Sequence, residues 1–306
     1  MKTIGVLGLG SIGLRHAKNL ITLGHKVIGY DPDGARVSML IDAGGQGMDP
    51  NYKVCEASEA VIIATPSQNH FTDMQETITS GKHIFVEKPI ATTDPRALIE
   101  LAHDKRLTIF VGNNLRFHVC VKQAKQMLGM GAIGNPIWAS ITVGQFTDKP
   151  TYLRDGVIFN WGAHEIDLAL YLLGPAKVKN ARVSPWLPHP HIPRQEVLAD
   201  IALEHSGGIC STVHLDYVTR PEIRATTIVG DKGQLIIDLV NNWICLIDLD
   251  GKKTDMTLNN SWDANYLEEI KAFLDRIDGK QTLGASGEDG LRALEICLEV
   301  RKLAGL

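Results

Sequence analysis

TIGVLGLGSIGLRHAKNLI, residues 3–21, decides the fold. Thr3–Leu7 is a short apolar run with the length of a buried strand, and Ile12–Leu23 carries apolar residues at helical spacing. Between them stand Gly8, Gly10 and Gly13. Glycines at this spacing, after a strand and opening a helix, form the fingerprint of a dinucleotide-binding turn. Gly8 makes the tight turn, Gly10 lets the backbone approach a pyrophosphate, and Gly13 lets helix and strand pack closely. Ser11 and Ile12 begin the helix, whose free N–H groups and partial positive charge suit phosphate oxygens. The competing reading is a strand–turn–helix whose glycines serve only the turn. A second strand, Lys26–Tyr30, runs into Asp31, about 20 residues beyond the glycine turn, where the fingerprint places an acid. Asp31 is suited to accept from adenosine ribose hydroxyls and to repel a 2′-phosphate, so NAD is predicted over NADP. Arg36, close by, is the feature that speaks for NADP.

Strand and helix signals go on alternating through residue 117. Ala60–Thr65 is a continuous run fit for a strand buried on both faces. Phe71–Ser80 is helical and Ile84–Val86 is another strand. Asp94 can cap a helix running to about Asp104 with Pro95 at its first position, and Leu107–Val111 is a further strand. Asp42–Ser58 offers a short third strand at best and no clear helix. The alternation predicts a doubly wound parallel sheet, an α/β Rossmann domain over residues 1–117. Residues 118–306 read as a second domain. Helices are expected at Val121–Leu128 and Trp161–Leu173. Strands then follow one another through turns at Ser206-Gly207-Gly208, Asp231-Lys232-Gly233 and Asp250-Gly251, so this sheet should be largely antiparallel. An apolar stripe from Tyr266 to Ile277 makes one closing helix, and a Ser286/Asp289 capping box opens the last.

The 306-residue chain carries a net charge of −4, with no basic excess to neutralise the phosphates of nucleic acid. No apolar run approaches the ~20 residues of a membrane span. One lysine followed by motif glycines does not resemble a signal peptide. Cys55, Cys120, Cys210, Cys245 and Cys297 are scattered without a C-x-x-C pair, which suits reduced thiols in a cytoplasm. His189-Pro190-His191 lacks a third ligand at any standard spacing, so no metal is predicted.

Ligands of open parallel sheets bind beyond the carboxyl ends of the strands. Thr65-Pro66 and Glu87-Lys88-Pro89 both stand at such ends, which places Lys88 to face a nicotinamide and its substrate; a surface ion pair is the competing reading. Five blocks now add up: G-L-G-S-I-G, A-T-P-S-Q-N-H (64–70), V-E-K-P (86–89), N-L-R-F-H (114–118) and W-G-A-H-E-I-D (161–167). With them the chain resembles, over nearly its whole length, the glucose–fructose oxidoreductase / inositol dehydrogenase (Gfo/Idh/MocA) family. The resemblance implies a Rossmann domain followed by an α/β domain with an open, mostly antiparallel sheet. It implies that Lys88 contacts both nicotinamide and substrate hydroxyl, that the Lys88–Pro89 bond is cis, and that Thr65, Pro66, His70 and Glu87 lie near the cofactor. It makes His164 the general base, in a Gly-x-His-x-x-Asp context that ends at Asp167.

Many members of the family carry an aspartate four residues before that histidine, and this chain has Asn160. An amide can orient an imidazole but cannot stabilise an imidazolium by charge. Arg116 and Arg154 flank segments similar to substrate-facing parts of the family, and either could bind a carboxylate or phosphate; a surface salt bridge is the alternative for each. His118 is a weaker candidate. The implied function is an NAD-dependent oxidoreductase. It would move a hydride between the nicotinamide and a secondary hydroxyl or keto carbon of a sugar, polyol or sugar derivative. Lys88 would hold the reacting oxygen and His164 would move the proton. His214 and Asp216 share one strand face, which suits a wet or subunit-facing sheet in a homodimer or homotetramer. A non-catalytic NAD-binding regulator or sensor on the same fold is the rival, kept open by Asn160.

Overall fold

A buried strand must pair its backbone groups on both edges, and the first strand does so. In the computed structural model, which describes residues 1–147, 155–184 and 196–306, β1 (Thr3–Leu7) pairs in parallel with β2 (Lys26–Tyr30) on one side and β4 (Ala60–Ile63) on the other. The winding of the sheet reverses between β1 and β4. Beyond them lie β3 (Gln46–Gly47) on one flank and β5 (His83–Glu87), β6 (Ile109–Gly112) and β15 (Ala285–Ser286) on the other. Only β15 runs antiparallel, against β6. The helices of this unit include α1 (Ser11–Thr22), α2 (Gly34–Asp42), α3 (Asn51–Ala57), α4 (His70–Thr79) and α5 (Arg96–Asp104). The Asp94 carboxylate accepts the Arg96 N–H, the cap expected for α5.

The stretch Asp42–Ser58, expected to hold no clear helix, contains all of α3 and follows α2 directly. Leu40 is the only buried residue of α2, and Val54 and Cys55 are the buried residues of α3. Stripes that sparse leave no periodic signal.

The chain divides into two compact units. The first takes Met1–Asn114 and also Trp262–Leu291; the second takes Leu115–Ser261 and Arg292–Leu306. A single boundary at 117/118 is therefore replaced by a chain that returns to its first unit. The reason lies in the core. Phe273, on the helix Trp262–Ile277, meets Phe85 and Phe110 edge-on at centroid distances of 5.7 and 5.9 Å, and those two rings stack at 5.5 Å. The Ser286/Asp289 box is formed, each side chain bonding the other's backbone N–H at 3.2 and 3.0 Å.

The second unit is built on an eight-stranded sheet. Its order is β14 (Lys253–Thr257), β13 (Trp243–Asp248), β12 (Gly233–Asp238), β11 (Ile223–Gly230), β7 (Pro136–Gly144), β10 (Cys210–Asp216), β9 (Leu198–His205) and β8 (Ala176–Ser184). All pairs are antiparallel except β7 with β10. β7, β8 and β14 carry little signal in the sequence, since β7 opens on a proline and β8 and β14 are edge strands with no fully buried residue. Helices α6 (Val119–Gly129) and α7 (Ala163–Leu173) pack against the sheet. Residues such as Ile141, Val143, Val213, Leu215 and Leu235 are buried, while the alternate positions Ser140, Thr142, Asp200, Thr212 and His214 are half-buried or exposed. Ile158–Gly162 forms a π-helical turn that leads straight into α7.

Candidate active site

The glycine turn sits where β1 and β4 diverge, the position at which doubly wound sheets open a crevice. A Cβ at Gly13 would fall 1.8 Å from the Gly8 carbonyl oxygen, and one at Gly8, where φ is +83°, would fall 2.6 Å from the Ala64 carbonyl oxygen. Neither position tolerates a side chain, so the turn stays tight against the loop after β4. At Gly10 the nearest atom to such a Cβ is Arg36 Nη1, 3.9 Å away, which leaves the outer side of the turn open. Gly10 also caps α1 without any side-chain bond, so the helix N-terminus keeps its donors for a ligand. Asp31 Oδ2 accepts the Leu9 N–H at 2.8 Å and Oδ1 accepts the Asp33 N–H at 2.9 Å. The carboxylate is thereby set against the turn, with Arg36 Nη1 at 3.3 Å. An open turn, an uncapped helix and a held acid fit a dinucleotide: pyrophosphate at the turn, ribose at Asp31.

The other two loops at this end of the sheet are tied to each other. His70, 1% exposed, bridges the Thr65 and Pro89 carbonyl oxygens through Nε2 at 2.9 Å and Nδ1 at 2.8 Å. Thr65 Oγ1 donates to Asp73 Oδ2 at 2.5 Å. Burial pushes the Asp73 carboxyl pKa up, and the Thr65 bond works against that. Lys88 is half-buried immediately past β5 and next to the clamped Pro89, and the Lys88–Pro89 bond is cis as expected. Glu87, expected near the cofactor, faces α1: its Oε1 lies 2.7 Å from His16 Nε2, and its carboxylate packs over Gly112. It fastens the end of β5 to α1. His16 belongs to no motif in the sequence, although a histidine among Gly13, Leu14, Ala17 and Leu20 on one buried face is a readable signal.

In the second unit, His164 lies in the first turn of α7, half-buried, directly after the π turn that carries Asn160. Such turns are frequent at functional sites. Asn160 Nδ2 donates to the Tyr217 hydroxyl at 2.9 Å. Arg116 is 6% exposed, and its Nε and Nη2 donate to the two Asp167 oxygens at 2.9 and 2.7 Å, a bidentate pair. The guanidinium also lies 4.8 Å from the Tyr171 ring centroid. Of the two readings of Arg116, anion binder or salt bridge, the structure shows a pair with Asp167, buried rather than at the surface, and Asp167, read beside His164, is the partner of Arg116. Glu165 Oε1 accepts from Arg224 Nε at 2.8 Å. His118 Nδ1 accepts the Cys120 N–H and caps α6, and burial lowers its pKa to about 4. Arg154, His189 and His191 lie outside the described residues. Among the described residues no group of three or more His, Cys, Asp or Glu could hold a metal ion.

Comparison with known proteins agrees with this fold. Residues 2–113 match the model of the oxidoreductase family with an NAD-binding Rossmann fold, and residues 121–236 match the GFO/IDH/MocA C-terminal domain. Myo-inositol 2-dehydrogenase of Thermotoga maritima is 26% identical, covering 98% of this chain and 95% of that protein. The scyllo-inositol 2-dehydrogenase (NAD(+)) of Bacillus subtilis is 27% identical over 95% of this chain and 90% of that protein. A solved levoglucosan dehydrogenase, in complex with NADH and levoglucosan, shares the fold with a TM-score of 0.91 at 19% identity, covering 99% of this chain and 97% of that one. From the glycine turn through the second, mostly antiparallel sheet, the chain belongs to the GFO/IDH/MocA family of NAD-binding oxidoreductases.

Proposed function

We propose that this oxidoreductase acts on a secondary hydroxyl or keto carbon of a sugar, polyol or sugar derivative. The observation that carries the reading is the His70 bridge, which ties the Lys88-Pro89 loop to the Thr65 loop beside the glycine turn. A lysine fastened there has a fixed task rather than a solvent-facing one. Bound NAD supplies the hydride acceptor or donor. Lys88 holds the reacting oxygen, where its ammonium stabilises developing negative charge. His164 takes up or returns the hydroxyl proton, a task for which an imidazole suits neutral pH. The names of the relatives, inositol dehydrogenases among them, support a polyhydroxylated substrate. The five thiols, all unpaired, support a cytoplasmic setting, and the side-chain pattern of the eight-stranded sheet supports a homodimer or homotetramer.

The test is NADH absorbance with a panel of inositols, sugars and their ketones, run in both directions. Turnover of at least one polyol that vanishes in Lys88→Ala is the expected result. Saturable NAD binding with no turnover across the panel would sink the enzymatic reading in favour of a sensor.

A further inference from the structure

Tyr217 follows β10, is 1% exposed, and meets Trp161 edge-on at 5.0 Å between centroids. Its hydroxyl donates to the Gly156 carbonyl oxygen at 3.2 Å and accepts from Asn160 Nδ2 at 2.9 Å. A phenol has one proton to give. A carbonyl oxygen can only accept, so that proton goes to Gly156. Whatever faces the hydroxyl from position 160 must then be a donor. An amide supplies one and a carboxylate does not. Asn160 is only 9% exposed, so a mismatch here could not be relieved by bulk water.

We propose that Tyr217 is a positioning residue for proton transfer. It fixes the Asn160 amide with Nδ2 on the hydroxyl and Oδ1 turned away from it, one helical turn before His164. The proposal rests on the reading of His164 as the proton-transfer group. It also explains why position 160 holds an amide: the hydroxyl presents a lone pair, and the amide end that answers it is set by that lone pair. The amide one turn before the imidazole is thus held by a residue 57 positions along the chain, just past β10.

Tyr217→Phe removes the hydroxyl and keeps the ring. Three readouts apply: polyol oxidation, its pH profile, and the Asn160 side-chain amide in ¹⁵N NMR spectra. The kcat should fall at least about tenfold while the KM for NAD stays within about twofold. The midpoint of the kcat/KM profile should move by about half a pH unit or more. The Asn160 NH₂ protons should lose their slow exchange. A folded Tyr217→Phe enzyme with kcat, pH profile and amide signal all unchanged overturns the proposal. If the wild-type protein oxidises none of the polyols, the catalytic reading fails separately. The amide signal still decides the Tyr217–Asn160 link: its loss in Tyr217→Phe supports it and its retention overturns it.

Asn160→Asp probes the same contact without touching the ring. Its carboxylate would face a lone pair, so its folded pKa should rise above the unfolded value of about 3.9. A raised acid pKa costs stability only as pH climbs from the unfolded to the folded value. The Tm gap to wild type should therefore widen by about 4 °C or more between about pH 4.5 and 7. A gap that does not change with pH overturns the proposal.

Discussion

Lys88 follows three fully buried residues, Ile84, Phe85 and Val86, and its neighbours are fixed on either side: Glu87 by His16 and Pro89 by His70. A base held in this way suits the proposed role of Lys88 at the reacting oxygen. Lys88→Ala should lower kcat by roughly 10²–10³, the usual cost of one lost donor to a developing oxyanion. NAD affinity, measured by fluorescence titration, should stay within about threefold if the turn and Asp31 hold the remote end of the cofactor as proposed. An equal loss in binding would mean that the lysine serves the cofactor instead. Asp31 is the other single residue with a clear consequence. With its carboxylate gone, Arg36, now 3.3 Å away, is left to meet a 2′-phosphate. Asp31→Ser should shift the NADP/NAD ratio of kcat/KM toward NADP by about tenfold or more. An unchanged ratio would contradict its assignment.

At the scale of elements, two contacts between segments decide stability. Arg116 in the turn before α6 and Asp167 on α7 are both nearly solvent-free, with side-chain exposures of 7% and 1%. Removing one partner strands a buried charge, so Asp167→Asn should lower the urea-unfolding free energy by about 3 kcal/mol or more. On β10, His214 has its Nδ1 at 2.6 Å from Asp200 and its Nε2 at 3.0 Å from Asp216, so the charged imidazolium satisfies both. Partial burial opposes the charge, but the bonds to the two carboxylates outweigh it and raise the pKa above 6.5. A raised imidazole pKa stabilises the fold fully below the unfolded value, and the gain is lost as pH rises through the folded one. His214→Gln should thus lower Tm by about 2 °C at pH 5.5 and leave it unchanged near pH 9. The opposite order would show that the carboxylates repel each other more than the imidazole joins them.

At the scale of the molecule, the first unit is completed by a distant segment. Phe273 closes the ring cluster with Phe85 and Phe110, and β15 covers the edge of β6. A fragment of residues 1–117 should therefore melt without a cooperative transition and bind a hydrophobic dye. Joining residues 262–291 to it through a flexible linker should restore a sharp melt. A cooperative fold of 1–117 alone would show that the returning segment is an ornament on a finished core.

What could be read along the chain was whatever depends on near neighbours. The glycine turn, the alternation of β1, β2, β4, β5 and β6 with α1, α4 and α5, the capping box at Ser286 and the placement of Lys88 past a buried strand all follow from spacing within a few dozen residues. Short, sparsely buried segments such as α3, and polar edge strands such as β8 and β14, carry too little pattern to be seen that way. The pairs around the candidate site were out of reach for a different reason. Glu87 with His16, Arg116 with Asp167 and Asn160 with Tyr217 are separated by 71, 51 and 57 residues. The sequence by itself determined which residue types are present and which strand ends carry them. Only the folded chain decided which donor meets which acceptor, because a hydrogen bond forms by proximity in space, and packing brings these partners together.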